Sequence, residues 1–335
     1  MADLYPLRLS PYFSERVWGT RDLSPYFTAP GTEPIGEVWL TGDECKVIDG
    51  PLAGTSLAEL SRRFQRKLVG NSAPEPDRFP LLIKFLFPHQ KLSVQVHPDD
   101  ASARRIGQPW GKTECWYVLQ ASPGAKVGLG LKPGTTRQQF ERAIHELGAE
   151  GLLNWIDLTP GDMIFVDAGT VHTIGPGSVL VETQQSSDTT FRLYDFGRPR
   201  ELHVKQGLAA MKEVTCAGKV APVLADRMCA VLISNPYFRV KKFHLRGQTE
   251  EGAESASQAA VPTRGSVQIV VGLEGAGIIE TRSHAPVMFG RGEAVVIPAV
   301  IDQFTVRPQW EVEFLAMTVP PKAENALSGE KAQRD

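Results

Sequence analysis

Short apolar runs, punctuated by glycine and proline, fill most of the first two hundred residues. Runs of this kind, rich in β-branched and aromatic residues, are typical of β-strands. We therefore predict a mainly β fold, with strands in the segments EVWLTG (37–42), LLIKFLF (81–87), KLSVQVH (91–97), ECWYVLQ (114–120), KVGLGL (126–131), DMIFVDA (162–168), VLVETQQ (179–185) and TTFRLYDF (189–196).

Three segments have apolar residues at helical spacing instead, and we predict helices over 56–70, 135–156 and 205–214. Beyond about residue 215 the strand pattern returns in 231–245 and 266–280. Between those two strands, 246–260 is rich in Gly, Ser and Glu and is predicted to be a mobile loop. The polar tail 321–335 is predicted to be disordered.

A faint internal repeat relates PGDMIFVDAGTVHTI, from Pro160, to RGEAVVIPAVIDQFTV, from Arg291. An offset of 131 residues aligns Gly161 with Gly292 and His172 with Gln303 (292 − 161 = 303 − 172 = 131). Two copies of one β-barrel unit explain this similarity, the first in 1–215 and the second in 216–320. The second copy has lost the histidine.

Composition narrows the classes of partner. A net charge of −2 argues against nucleic acid or a membrane surface as the partner. The four cysteines form no CxxC pair, as expected for reduced thiols in a cytoplasmic protein. No secretory signal is recognised, and no apolar run approaches the roughly 18 residues that a membrane span needs. The pattern leaves the oligomeric state open.

The segment KLSVQVHPDD (91–100) contains the first candidate site residues. Side chains alternate across a strand, so Gln95 and His97 share one face, while Leu92, Val94 and Val96 share the other. The apolar set predicts a core face. The polar face meets water or lines a site.

The spacing Gly161-x5-Asp167-x-Gly169-x2-His172 resembles the second motif of the cupin superfamily, with Asp in place of Pro. Together with Gln95, His97 and Glu114, His172 completes a donor set that suits a divalent ion such as zinc. Each residue also has an ordinary explanation: Glu114 as an ion-pair partner, Gln95 as a packed polar residue. The remaining histidines are interpreted as ordinary core or surface residues: His89, His145, His203, His244 and His284.

The chain resembles the type I mannose-6-phosphate isomerases, in their short bacterial form, from residue 6 to at least residue 210. The resemblance rests on the segments PLRLSPYFSERVWG, PIGEVWL, PLAGTSLAEL, FPLLIKFL, KLSVQVHPDD, GKTECWYVL and VHTIGPGSVLVETQQSSDTTFRLYDFGR. It implies two cupin (jelly-roll) barrels with a few helices, an N-terminal catalytic barrel and a C-terminal barrel without metal.

For the site, the resemblance implies one divalent ion, zinc by preference, on Gln95, His97, Glu114 and His172, and an active-site arginine at Arg192. Two features depart from the family. Lys112-Thr113-Glu114 stands where many members have Lys-Pro-Glu, which alters the turn. The helical insertion of the larger members is also absent.

The implied reaction interconverts mannose 6-phosphate and fructose 6-phosphate through an enediol. It needs a general base, for which Lys112 and Glu182 are the candidates. In a second interpretation Lys112 instead binds the phosphate, and Glu182 instead forms an interior ion pair with Arg192 or Lys112. The candidates for phosphate binding are Lys84, Lys112, Arg198 and Lys205.

Two other classes of function fit part of the pattern. Two histidines and one carboxylate also describe non-haem iron oxygenases. A non-catalytic cupin that binds sugar phosphates would keep the barrel but lose Arg192 or a metal ligand. All five of those positions are present, which favours the isomerase.

Overall fold

The computed structural model describes residues 3–247 and 257–321. The strands of the first half are Leu7–Arg8 (β1), Tyr12–Thr20 (β2), Ile35–Trp39 (β3), Leu81–Leu86 (β4), Val94–Val96 (β5), Glu114–Ala121 (β6), Lys126–Leu131 (β7), Leu153–Asp157 (β8), Met163–Val166 (β9), His172–Ile174 (β10), Ser178–Gln185 (β11) and Phe191–Tyr194 (β12). Those that follow are Gly218–Val220 (β13), Val223–Leu224 (β14), Cys229–Ser234 (β15), Arg239–Arg246 (β16), Ala259–Pro262 (β17), Gln268–Glu280 (β18), Val287–Gly290 (β19), Ala294–Ile297 (β20) and Gln303–Thr318 (β21).

The α-helices are few and short, and two 3₁₀ helices add one turn each. The α-helices are Leu57–Phe64 (α1), Arg66–Val69 (α2), Asp100–Arg105 (α3), Arg137–His145 (α4) and Val204–Ala210 (α5), and the 3₁₀ helices are Gly50–Leu52 and Ala149–Leu152. Within the described ranges no helix is long and apolar enough to cross a membrane.

Three sheets form the fold, and within the described ranges their strands pair antiparallel. Two of them face one another in the N-terminal part, a seven-stranded sheet in the order β13-β9-β6-β11-β4-β3-β2 and a five-stranded sheet in the order β12-β5-β10-β7-β8. The third follows the order β1-β20-β18-β21-β16-β15-β14, with β17 added on β21 and β19 on β18. The mainly β prediction is confirmed.

The predicted helices are present but shorter than expected. Helix α5 ends at Ala210 rather than at residue 214. Helix α4 ends at His145, and residues 153–156 of the predicted helical run lie in strand β8. The chain reverses at Leu147, whose φ is +58°. That left-handed conformation ends a helix, and the apolar residues beyond it pack in a strand.

The internal repeat corresponds to equivalent structure in the two halves. Gly161 and Gly292 both have positive φ, +93° and +78°. β9 and β20 then occupy matching positions, and His172 and Gln303 each begin the following strand. In the second copy the interior is filled with apolar side chains, including Phe243 and Phe314, whose rings stack with centroids 4.8 Å apart.

The two halves are joined by pairing and by packing. The N-terminal strand β1 pairs with β20, so Leu7 lies opposite Val296 in the C-terminal sheet. One buried cluster contains residues of both halves, for example Phe85 and Ile269. The division at residue 215 stays a prediction. Residues 248–256, most of the predicted mobile loop, and 322–335 of the predicted tail lie outside the described residues.

Candidate active site

Three neighbouring strands of the five-stranded sheet carry a row of polar side chains. Gln95 of β5 lies opposite His172 of β10 on one side and opposite Arg192 of β12 on the other. Directly opposed residues of an antiparallel pair point to the same face, so these three side chains share one face of the sheet. Val94 and Val96 are fully buried on the other face, as predicted.

A turn before β10 brings His172 to this row. Gly169 has φ +95°, a conformation that glycine adopts without strain. The turn is closed by Asp167, whose carboxylate accepts a hydrogen bond from the Thr170 hydroxyl at 2.8 Å. The glycine turn predicted from the motif spacing is therefore present.

The seven-stranded sheet supplies two carboxylates. Glu114 is the first residue of β6 and lies opposite Gln184 of β11, while Glu182 of β11 lies opposite Trp116. Because Glu114 and Trp116 are two residues apart, Glu114 and Glu182 are on the same face of their sheet. Both are almost fully buried.

His97, Glu114 and His172 meet in one buried cluster. The Nε2 atom of His97 is 3.5 Å from Glu114 Oε2, and the Nε2 atom of His172 is 3.4 Å from Glu114 Oε1. One ligand atom from each of the three residues lies within 4.8 Å of the others. Among the described residues this is the one group of histidine, cysteine and carboxylate side chains so arranged.

Hydrogen bonds to the protein backbone orient both imidazoles. His97 Nδ1 is 3.0 Å from the carbonyl oxygen of Thr189, and His172 Nδ1 is 2.9 Å from that of Thr170. A carbonyl accepts only, so each Nδ1 carries the proton and each Nε2 presents a lone pair to the cluster. Burial lowers the pKa of His97 well below its ordinary value and that of His172 to about 4, so both rings are neutral at pH 7.

Gln95 is at the edge of this cluster. Its Nε2 atom is 3.3 Å from His172 Nε2, while its Oε1 atom accepts a hydrogen bond from the Ser93 hydroxyl. The side chain is therefore beside the ligand atoms, as predicted, but it presents its nitrogen to them. Its predicted role as an oxygen ligand stays a prediction.

Lys112 reaches into the cluster from the turn before β6. Its Nζ atom is 3.1 Å from Glu114 Oε2 and 3.3 Å from His97 Nε2. Burial alone would lower the pKa of Lys112, but the carboxylates of Glu114 and Glu182 outweigh it and raise that pKa above its ordinary value. These carboxylates therefore favour the charged ammonium of Lys112.

Glu182 belongs to a second network of buried charges, centred on Lys84. Its Oε1 atom accepts a hydrogen bond from Trp116 Nε1 at 3.1 Å, and its Oε2 atom is 3.7 Å from Lys84 Nζ. Lys84 also contacts Glu37 at 3.5 Å and Asp188 at 3.4 Å. Burial raises the pKa of Glu182 to about 7, against the opposing effect of Lys112.

Part of this network was missed from sequence. The sequence marks Lys84 only as a candidate for phosphate binding, and it gives no prediction for Glu37, Trp116 or Asp188. A signal was available for Lys84, because a lysine inside the apolar run LLIKFLF must find carboxylates when that strand is buried. No comparable signal marks the carboxylates that it finds. Asp188, for example, is 104 residues away from Lys84 in the sequence.

Arg192 is held by the segment that follows β12. Its NH1 donates to the carbonyl of Glu201 at 2.7 Å, and its backbone N–H donates to His203 Nδ1 at 3.2 Å. Its Nε atom is buried and has no hydrogen-bond partner. One donor of the guanidinium is thus left unused beside the row that contains Gln95.

The other cations proposed for phosphate binding are not grouped at the cluster. Arg198 donates to the buried carboxylate of Asp195 and to the carbonyl of Lys91. Lys205 is exposed on α5. A separate cavity of about 1290 Å³ next to α1 and α2 has a lining that includes Arg63 and Arg282 but none of the site residues.

The donor set fits a divalent metal ion. Two imidazole lone pairs and one carboxylate converge, and a cation, the ammonium of Lys112, already lies against them. Glu114 Oε2 has this ionic contact but no hydrogen bond, although it is fully buried. Neutral nitrogen and anionic oxygen donors at one point are the ligands that Zn²⁺ prefers.

Comparison with known proteins places this site in a family. A family model described as the catalytic domain of type I phosphomannose isomerase matches residues 7–118. Mannose-6-phosphate isomerase ManA of Bacillus subtilis (strain 168) is 38% identical over 259 residues, covering 72% of this chain and 80% of that protein. The chain belongs to the type I phosphomannose isomerase family.

Solved structures of phosphomannose isomerases share this fold. The crystal structure of the mannose 6-phosphate isomerase from Bacillus subtilis superposes with a TM-score of 0.81 at 29% identity, over 93% of this chain and 99% of that one. A zinc-bound mannose 6-phosphate isomerase gives a TM-score of 0.75 at 16% identity, over 94% and 100% of the two chains. The second likeness concerns the fold alone. The predicted cupin architecture of this phosphomannose isomerase family member is confirmed.

Proposed function

We propose that the protein interconverts D-mannose 6-phosphate and D-fructose 6-phosphate. The observation that carries this proposal is the buried cluster of His97, Glu114 and His172, with Lys112 against it, in a member of the phosphomannose isomerase family. The isomerisation moves a proton between C2 and C1 of the sugar. The site must therefore contain a group that accepts and returns a proton, and positive charge that stabilises the enediolate.

One Zn²⁺ is the proposed cofactor, held by His97, Glu114, His172 and Gln95. A half-turn of the Gln95 amide exchanges its nitrogen and oxygen and offers Oε1 to the ion. When bound, the metal polarises a sugar oxygen as a Lewis acid. The backbone carbonyls of Thr189 and Thr170 fix both rings with Nε2 unprotonated, so the protein presents its ligands ready to bind.

We assign proton transfer to Glu182. A carboxyl group with a pKa of about 7 is about half ionised at neutral pH, so it can both accept and return a proton there. Trp116 and Lys84 hold the carboxylate from two sides. Lys112 stays charged among its carboxylates, which suits it to stabilise negative charge on the substrate rather than to act as the base.

Arg192 is the second proposed source of positive charge. It is on the same sheet face as Gln95 and His172, and its Nε donor is unpaired. A guanidinium stays charged throughout the pH range of the reaction and can donate to a developing oxyanion. Substrate phosphate has no assigned partner among the described residues.

A coupled assay for fructose 6-phosphate tests the function and the metal together. Protein stripped by chelation should lose conversion of mannose 6-phosphate, and stoichiometric Zn²⁺ should restore it. Activity that survives complete metal removal would refute the metal assignment. No conversion by the zinc-loaded protein at any substrate concentration would refute the isomerase.

A further inference from the structure

The direction of the Lys112 side chain is set by a turn rather than by a strand. Lys112 precedes β6 by two residues, and its ammonium contacts His97 and Glu114 at 3.3 and 3.1 Å. A lysine has four rotatable bonds, so its head is placed only if its backbone is fixed. The groups that fix the backbone of Gly111, Lys112 and Thr113 therefore determine where the Lys112 ammonium lies in the site.

Two side chains outside the catalytic set bind the peptide groups on either side of Lys112. One carboxylate oxygen of Asp100, Oδ1, accepts the Gly111 N–H at 2.8 Å. The Oε1 atom of Gln185 accepts the Thr113 N–H at 2.9 Å. Gln185 is 6% exposed and Thr113 is 3% exposed, so water cannot replace this bond freely.

Asp100 and Gln185 also bind one another. The Nε2 atom of Gln185 donates to the same Asp100 Oδ1 at 3.0 Å. The carboxylate thus joins the start of α3 to the end of β11, and both ends of the pair reach the turn. We call Asp100 and Gln185 the clamp.

A backbone hydrogen bond also connects the turn to the segment that follows His97. The Lys112 N–H donates to the carbonyl of Pro98, the residue after His97, at 3.0 Å. Gly111 packs so closely on this segment that an added Cβ would lie 2.5 Å from the Pro98 oxygen. With the clamp in place, three consecutive N–H groups, from residues 111 to 113, have acceptors.

We propose that Asp100 and Gln185 are positioning residues of the isomerase, which hold the Gly111–Thr113 turn so that the Lys112 ammonium meets the reacting sugar. The inference rests on the proposed function, in which Lys112 stabilises the enediolate. Neither clamp residue touches the substrate. Their effect is therefore expected in kcat, since the charge they place is used most strongly in the transition state.

The test uses the zinc-loaded full chain with the variants Asp100→Ala, Asp100→Asn and Gln185→Leu. Asp99→Ala is the matched control: the side chain of Asp99, the neighbouring aspartate, caps α3 by accepting the Ser102 N–H at 2.9 Å and pairs with Lys212 at 3.7 Å, rather than binding the turn. Steady-state kcat and KM, melting temperature and amide exchange of the peptide containing residues 111–114 are measured for each.

Asp100→Ala and Gln185→Leu should lower kcat about 10- to 100-fold, the scale of a misplaced catalytic group, with KM within about threefold of the wild-type value. Both should speed amide exchange at residues 111–113. Asp100→Asn keeps an acceptor oxygen and should retain most of kcat. Asp99→Ala should lower the melting temperature but keep kcat within about twofold.

The double variant Asp100→Ala with Gln185→Leu should be no slower than the slower single variant, because both changes break one clamp. Equal kcat for Asp99→Ala and Asp100→Ala would overturn the proposal, and so would multiplicative losses in the double variant. If Gln185→Leu does not fold, the comparison of Asp100→Ala with Asp100→Asn decides the test, because Asp100 is only half-buried. The exchange measurement needs no turnover, so an inactive wild type would refute the isomerase and still leave the clamp to be judged by exchange.

Discussion

At the scale of single residues, the site depends on protonation states that backbone carbonyls and buried charges impose. His97 and His172 are neutral and oriented because each donates Nδ1–H to a carbonyl. Lys112 is charged because carboxylates surround it, and Glu182 has a raised pKa because it is buried. Four ionisable groups in one interior are thus held in defined protonation states.

Replacement of Arg192 by alanine should lower turnover by about 10²-fold or more, the scale of losing one transition-state donor. The bound zinc should remain, because Arg192 is not among the metal donors. Steady-state kinetics together with metal analysis of the variant provide the measurement. Near-normal turnover would remove Arg192 from the chemistry.

Glu37 offers a prediction of pH-dependent stability. Burial alone would raise its pKa, but Lys84, Arg16 and a hydrogen bond from Trp39 lower it to about 2 from an ordinary value of 4.5. A lowered folded-state pKa stabilises the fold above the unfolded-state pKa, and this stability is lost as the pH falls through the folded-state pKa.

Glu37→Gln should therefore reduce the free energy of unfolding at pH 7, by up to about 3 kcal/mol. The difference from wild type should shrink progressively as the pH falls from about 4.5 towards 2. Urea denaturation of both proteins at several pH values measures it. A difference that does not change between pH 7 and pH 3 would contradict the assignment.

At the scale of elements, one turn and two sheets bring the candidate ligands together. β5 supplies Gln95, β10 begins with His172, and β6 begins with Glu114. Each ligand is at or next to a strand end, where a turn can set its direction. Thr113 stands where many family members have proline. Its N–H donates to Gln185, a hydrogen bond that proline could not make.

Gly169→Ala tests the turn that directs His172. Alanine in the left-handed conformation costs about 1–2 kcal/mol, and relaxation of this strain should move His172. We expect weaker zinc binding, measured by competition with a chromogenic chelator.

Gly161→Ala is the control for this turn variant. Its φ of +93° imposes the same strain, in open space and in the turn that leads into β9 rather than into His172. Gly169→Ala should lose at least as much stability as Gly161→Ala, because its Cβ would also press on the flexible Lys212 side chain, but zinc affinity should fall in Gly169→Ala only. Equal zinc affinities would show that the turn does not direct the ligand.

At the scale of the whole molecule, the repeat has produced two copies of one unit with different interiors. The first keeps polar ligands between its sheets, and the second is filled by phenylalanines such as Phe243, Phe289 and Phe314. The copies are interlocked, because β1 belongs to the C-terminal sheet and one apolar cluster contains residues of both halves.

This interlocking predicts a single unfolding transition. Loss of either half would expose the shared apolar cluster and leave β1 or β20 without its partner. Calorimetry of the full chain should give equal calorimetric and van't Hoff enthalpies. Two separable transitions would show instead that the halves fold independently at the predicted boundary.

Much of this was predictable from the sequence alone. Alternation of side chains is a local property of a strand. The shared face of Gln95 and His97, and the core position of Val94 and Val96, therefore followed from their spacing. The glycine turn before His172 followed from its motif. The end of α4 did not, because the residue in the left-handed conformation is Leu147, whereas the glycine beside it, Gly148, has an ordinary negative φ.

Only the tertiary structure decided which distant groups meet, and in what ionisation state. Gln95 and His172 are 77 residues apart, and Asp100 and Gln185 are 85 apart. Their contact depends on strand register and on chain closure, which no local pattern encodes. The direction of each pKa depends on burial and on every charge nearby at once, so the assignment of Lys112 and Glu182 could be made only from the folded chain.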